Sequence, residues 1–169
     1  HLRTRRQRQM CIRDSLAVQT LRNMLMAASF FASTAFFAAV GLLSFGMTSE
    51  RIPAVFERLN ILGHPSPAFL TGKLLLLVLV LFGTFFTFAL AIRYYNHVGL
   101  VLNVPVREGE DIAARAGALL RRGALHYSWG MRGYYYAIPL ALWLFGPLWM
   151  GLGTLLVLPL LRRHDHLPT

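Results

Sequence analysis

Three uncharged stretches organise the chain. Met24 to Met47, Leu74 to Ile92 and Tyr134 to Leu161 contain no charged residue. A helix of about 20 predominantly apolar residues crosses a hydrocarbon core, and each stretch is long enough. Burying three such helices in a soluble protein requires a large polar shell, which 169 residues do not supply. The pattern predicts an all-α polytopic helical membrane protein with three transmembrane helices, over about 24–47, 74–92 and 134–161. They form a single transmembrane domain over 16–163, followed by a tail at 164–169.

The stretches differ in character. The first places Ala28, Ala32, Ala35 and Ala39 on or near one face, with Ser29 and Ser33. Small residues let helix backbones approach closely in lipid, and hydroxyls can bond across. The second is a leucine-valine block that turns aromatic at Phe82, Phe85, Phe86 and Phe88, with one small-residue pair, Gly83 and Thr87. The third carries Pro139, Gly146-Pro147, Gly151, Gly153 and Pro159. Proline removes a backbone donor and clashes with the preceding turn, so one long tilted helix, kinked near Pro147, is expected there. A tight re-entrant hairpin is the alternative.

The connecting segments set the orientation. In 48–73, Ile52, Val55, Phe56 and Leu59 recur at helical spacing, which predicts an amphipathic loop helix lying on the membrane surface. Gly63-His64-Pro65-Ser66-Pro67 breaks it. Residues 93–133 hold Arg93, Arg107, Arg115, Arg121, Arg122 and Arg132, with Glu108, Glu110 and Asp111. Those acids open a second loop helix running to about His126, favourable for its dipole, with Ile112, Ala116, Leu119 and Leu120 as its apolar stripe. By the positive-inside rule the 93–133 loop is cytoplasmic. Residues 16–23 then lie inside, 48–73 outside and the tail outside, in a bacterial inner membrane. Arg162 and Arg163 fit that tail poorly and would suit a hairpin better.

Composition agrees. Hydrophobic residues make up 56% and charged residues 14%, against about 25% charged in soluble domains, which excludes a disordered chain. The net charge of +10 would suit nucleic acid, but the charges lie beside the apolar stretches, and no nucleic-acid partner is expected. Residues 1–15 read as foreign: Arg5 to Ser15 can be encoded in one frame by a transposase sequencing adapter, and such a scar is set aside from fold reasoning. Setting it aside removes five arginines and one aspartate, lowering the charge to +6, and removes Cys11, the only cysteine.

No Asp, Glu, Lys, Arg or His falls within the three stretches. Ion-coupled carriers, proton relays and intramembrane proteases need such groups at membrane depth and are disfavoured. Polar residues collect at the cytoplasmic ends instead: Gln19, Arg22 and Asn23; Arg93 to His97; and Tyr127, Trp129, Arg132 and Tyr134 to Tyr136. If the helices bundle, these groups converge at one level. Arg22, Asn23, Arg93, Tyr94, Asn96, His97, Arg132 and Tyr135 are the candidate contacts for anionic lipid headgroups or a partner subunit, since an arginine fork with amide and phenol donors suits phosphate. An aromatic belt with snorkelling arginines is the commoner meaning of such residues.

No catalytic, cofactor-binding or metal-binding set is expected. His164-Asp165-His166 lies in a tail, His64 in a loop, and Lys73 is the one lysine beside sixteen arginines. The partners expected are the bilayer, anionic headgroups, and a second copy or a partner membrane subunit. Two other functions compete. One is a transporter or channel subunit for a small neutral or anionic solute. The other is a membrane enzyme acting on lipid headgroups, with His97 or His126 as base beside Glu108 or Asp111.

Three landmarks carry a family resemblance. Gln19-Thr20-Leu21-Arg22-Asn23 with Ala28 to Thr34 resembles the start of the family catalogued as domain of unknown function 599. Ile92-Arg93-Tyr94-Tyr95-Asn96-His97 is similar to its second landmark. Arg132-Gly133-Tyr134-Tyr135-Tyr136 with Trp143-Leu144-Phe145-Gly146-Pro147 is similar to its third. The resemblance covers 16–163. It implies an integral membrane protein, usually of four spans, found in bacteria and plants, so that this chain is a fragment of a four-helix bundle lacking the first span and its basic connector. Gly133 stands where the family usually has alanine. The family has no established activity, so the resemblance implies an architecture and no reaction.

Overall fold

The computed structural model describes residues 2–48, 66–103 and 111–165. Four helices account for nearly all of them: α1 (Leu2–Thr48), α2 (Pro67–Asn103), α3 (Ile112–Trp143) and α4 (Pro147–Asp165). Two are long and apolar enough to cross a membrane, over Leu16–Gly46 and Ala68–Asn103, and Pro147–Pro159 is a shorter apolar helix. The loop helix expected around Ile52 to Leu59, the break at Gly63–Pro65, and Arg107, Glu108, Glu110 and His166 lie outside the described residues.

The helix starts follow local chemistry. Ser66 accepts the Phe69 amide on its hydroxyl at 3.4 Å and on its carbonyl at 2.9 Å, and Pro67 takes the first helical position, where a missing N–H costs nothing. Asp111 caps α3, its carboxylate accepting the Ala114 amide at 3.0 Å.

The charged loop helix and the third apolar stretch, expected as separate elements, are one helix. α3 runs unbroken from Ile112 to Trp143. No proline interrupts it between His126 and Tyr134, and its glycines there are held by packing. The break comes later, so Tyr134–Leu161 is not a single kinked helix. Gly146 has φ 139°, a region open to glycine and strained for other residues. Leu144, Phe145 and Gly146 donate back to Ala141, Leu142 and Trp143 at 3.0–3.2 Å, closing α3 with a tight final turn. Pro147 then opens α4. The two arms pack on each other: a methyl placed on Gly153 would stand 2.6 Å from Leu142 Cδ1 and 3.3 Å from Pro139 Cα. Gly153 lies as far beyond the turn as Pro139 lies before it, so α3 and α4 form an antiparallel hairpin.

Lys73 pins the end of this hairpin. It is 5% exposed. Its ammonium donates to the Trp143 carbonyl at 3.1 Å, at the negative end of α3, and lies 4.8 and 4.7 Å from the ring centres of Phe69 and Trp143. Lys73→Met should lower the melting temperature in detergent, because a hydrogen bond from a charged group, worth about 1.5–3 kcal/mol, is lost. An unchanged midpoint would show the contact to be idle.

α2 is the central helix, with α1 and α3 on adjacent sides. Its seam with α3 sets large residues into gaps. Ala116, Gly123, Gly130 and Ala137 are the buried residues of α3, seven apart. Facing them on α2, also seven apart, are Tyr95 against Gly123, Phe88 against Gly130, and Leu81 in the same core cluster as Ala137. A seven-residue repeat is the seam of a left-handed helix pair. The α1 seam is alanine: Ala28 and Ala32 pack with Phe88, Ala91 and Tyr95, and Ala39 with Leu77, Val78 and Leu81. The Gly83/Thr87 pair is not a seam, because Gly83 meets nothing. Its neighbour Thr84 is buried instead and lies against Gly133, leaving no room there for the alanine methyl.

Candidate functional site

Contacts along the seams fix which residues share a level. Leu21 of α1 approaches Gly99 of α2, Phe31 stacks on Phe88 at 5.6 Å, Phe36 meets Phe85, and Gly46 meets Leu74. On the other side, Tyr95 meets Gly123, Phe88 meets Gly130, Thr84 meets Gly133, and Lys73 meets Trp143. The stretches of α1 and α2 carrying Arg22, Asn23, Arg93, Asn96 and His97 therefore lie at one level, beside residues 120–124 of α3.

The eight candidates divide into three groups. Arg22, Arg93, Asn96 and His97 are all exposed. They form a polar band at one shared level of α1 and α2, with Arg93, Asn96 and His97 on one face of α2 by their i, i+3, i+4 spacing. Asn23 and Tyr94 point elsewhere. Asn23 lines a pocket, and Tyr94 stacks on His126 of α3 with centroids 5.3 Å apart and planes at 10°.

Arg132 and Tyr135 do not join the band. Arg132 sits on α3 between Gly130 and Gly133, at the level of Phe88 to Thr84. At 1.5 Å per residue this is about 11 Å along the bundle from the level of Arg93. Helix continuity is why the expected convergence fails: a separate span starting at Tyr134 would have put Arg132 at its mouth, whereas the continuous α3 carries it to the middle of the apolar helices.

The pocket was not foreseen. It lies in the groove between α1 and α3, over α2, with a volume of about 420 Å³. Met24, Ala27 and Ala124 give it apolar walls, and Thr20, Asn23, Tyr95 and Tyr127 supply its polar groups. Deeper in the groove Tyr134 closes the helices together, its hydroxyl donating to the Phe31 carbonyl at 2.5 Å. The rings of Phe31, Phe88, Tyr127 and Tyr134 meet there at 5.4–6.2 Å. The sequence signal was the tyrosine at the buried seven-residue position after Phe88, with a glycine opposite.

The pairing of histidine and acid needed for headgroup chemistry is not assembled by Asp111. That residue caps α3, about 22 Å along the helix from His126 at 1.5 Å per residue. Glu108 lies outside the described residues. Among the described residues, no group of three His, Cys, Asp or Glu converges.

No curated protein and no solved structure matches the chain. A family model does match, over residues 3–168, nearly the whole length. The chain belongs to the family described as "Protein of unknown function, DUF599".

Proposed function

We propose that this chain is a multi-pass protein of a bacterial inner membrane, a non-enzymatic module whose polar band contacts anionic lipid headgroups. The observation that carries this reading is the distribution of exposed residues on α1 and α2. Along their length they expose large apolar side chains, such as Phe30 at 67%, Phe37 at 70% and Leu79 at 68%. At one shared level, beside the start of the uncharged stretch of α1 and the end of that of α2, they expose Arg22, Arg93, Asn96 and His97. A hydrocarbon layer with a phosphate boundary matches both. On this reading the α3–α4 hairpin returns the tail to the cytoplasmic side, where Arg162 and Arg163 obey the positive-inside rule.

Native mass spectrometry of the detergent-purified chain, counting retained phosphatidylglycerol against phosphatidylcholine, tests this. Arg22→Ala and Arg93→Ala should each weaken phosphatidylglycerol retention about fivefold, from about 1 kcal/mol per interfacial arginine. Retention equal to wild type in both variants would remove the proposal.

One observation favours a second reading. Arg132 is exposed at the mid-level of the apolar helices, where a charge facing lipid is costly and commonly marks a pathway or a protein contact. A partner membrane subunit, a second copy, or a solute path beside α3 would each account for a charge on that surface. Cross-linking from Arg132→Cys, in a background without Cys11, should then capture a protein partner or react with a water-soluble maleimide. Inertness to both would remove this second reading.

A further inference from the structure

The groove pocket differs in chemistry from the arginine band. No charged side chain lines it. Its polar edge consists of a carboxamide, two phenols and the Thr20 hydroxyl; that hydroxyl already donates to the Leu16 carbonyl at 2.8 Å, which leaves the carboxamide and phenols as the neutral groups that can donate to an acceptor oxygen. Tyr95 is the informative member. It is 2% exposed, and its ring is clamped against Gly123, where a methyl would stand 2.6 Å from Cε1. Among the described residues, no hydrogen-bond partner meets its hydroxyl. A buried polar group without a partner costs free energy, and packing on a glycine holds this one at the pocket wall. Phenylalanine would fill the same seam without that cost.

We propose that this pocket binds an uncharged, carbonyl-bearing group of an amphiphile, with Tyr95 donating to the carbonyl oxygen. Tyr127 and the Asn23 amide stand as further donors, and Met24, Ala27 and Ala124 enclose the apolar part. A volume of about 420 Å³ suits one compact group rather than a whole lipid, and the groove's opening leaves a tail free to run along α1 and α3. Two membrane molecules share this chemistry: the ester carbonyls of a glycerophospholipid and the ring carbonyls of an isoprenoid quinone. The site goes beyond the headgroup contacts proposed for Arg22 and Arg93, which recognise charge and lie outside the pocket.

The test uses the purified full chain in detergent, titrated in separate arms with decylubiquinone and with dioleoylphosphatidylcholine, and read by native mass spectrometry. One equivalent should bind in at least one arm, and the arm names the source. Tyr95→Phe should weaken that binding about three- to tenfold, the loss of one hydrogen bond, and Ala124→Leu should abolish it by filling the pocket. The melting temperature without probe supplies an independent sign: Tyr95→Phe should raise it, because an unmet hydroxyl is removed from the seam. A hydroxyl that serves the fold would give the opposite shift. Failure of both probes to bind, binding indifferent to both variants, or a lowered melting temperature in Tyr95→Phe would overturn the proposal. The charge-dependent retention set by Arg22 and Arg93 is measured separately and is unaffected by any of these results.

Discussion

Gly130→Ala should lower the melting temperature of the purified chain, while Gly117→Ala should raise it. Both glycines lie inside α3, and glycine there costs about 1 kcal/mol relative to alanine. At Gly117 an added methyl meets nothing within 4 Å, so the propensity gain is realised. At Gly130 the methyl would stand 2.7, 2.8 and 2.9 Å from three carbons of the Phe88 ring. That ring is fully buried. Phe31 stacks on it, and Tyr127 and Tyr134 flank it within 6 Å, so it has nowhere to swing. Overpacking of this kind costs about 1–3 kcal/mol, enough to reverse the sign. Gly130→Leu should be worse and should separate α3 from α2. Combining Gly130→Ala with Phe88→Leu should recover part of the loss, since neighbours in one contact do not act additively. Equal behaviour of Gly117→Ala and Gly130→Ala would mean that the seven-residue seam is misplaced.

Gly146→Ala should open the α3–α4 hairpin. At φ 139° an alanine is strained by about 1–3 kcal/mol, and the relaxed alternative is a longer helix bent at Pro147. Spin labels at Ser128 and Arg162 report the difference. In the hairpin they sit on adjacent helices, whose axes are about 8–10 Å apart. On a continuous helix they would be about 50 Å apart at 1.5 Å per residue. Wild type should give the short distance alone, and Gly146→Ala a new long component. Gly41→Ala, where an added methyl meets nothing, should change neither distance. A single short distance in Gly146→Ala would show that packing of Gly153 and the Lys73 clamp suffice without the glycine.

Much of this arrangement was legible in the residues. Absence of charge marked the cores of α1 and α2, and the alanine spacing at 28, 32, 35 and 39 marked the α1 seam. The polar band at Arg22, Arg93, Asn96 and His97 followed from charge position alone. The α3 seam was harder to see because glycine carries no side chain: Gly123 and Gly130 acquire meaning only opposite Tyr95 and Phe88 on another helix. The hairpin was legible only as an alternative, since Gly-Pro permits both a kink and a reversal, and the choice rests on contacts of Gly153 with Pro139 and Leu142. Arg132 was misplaced in level because charge content separated it from Tyr134, while the backbone has no break between them. The orphan hydroxyl of Tyr95 could not be read at all, because a tyrosine in an aromatic run gives no sign of which phenol lacks a partner.

On the proposed function, two apolar helices and a returning hairpin place the Arg22 and Arg93 level of the bundle on one side of a membrane. Single cysteines at Leu16, Ser66, Asn103 and Asp165, introduced without Cys11, test it by labelling with an impermeant maleimide in right-side-out and inverted vesicles. The account predicts that positions 16, 103 and 165 label only in inverted vesicles and position 66 only in right-side-out ones. Labelling of 165 together with 66 would contradict the hairpin, and labelling of all four from one side would contradict the membrane-spanning reading itself.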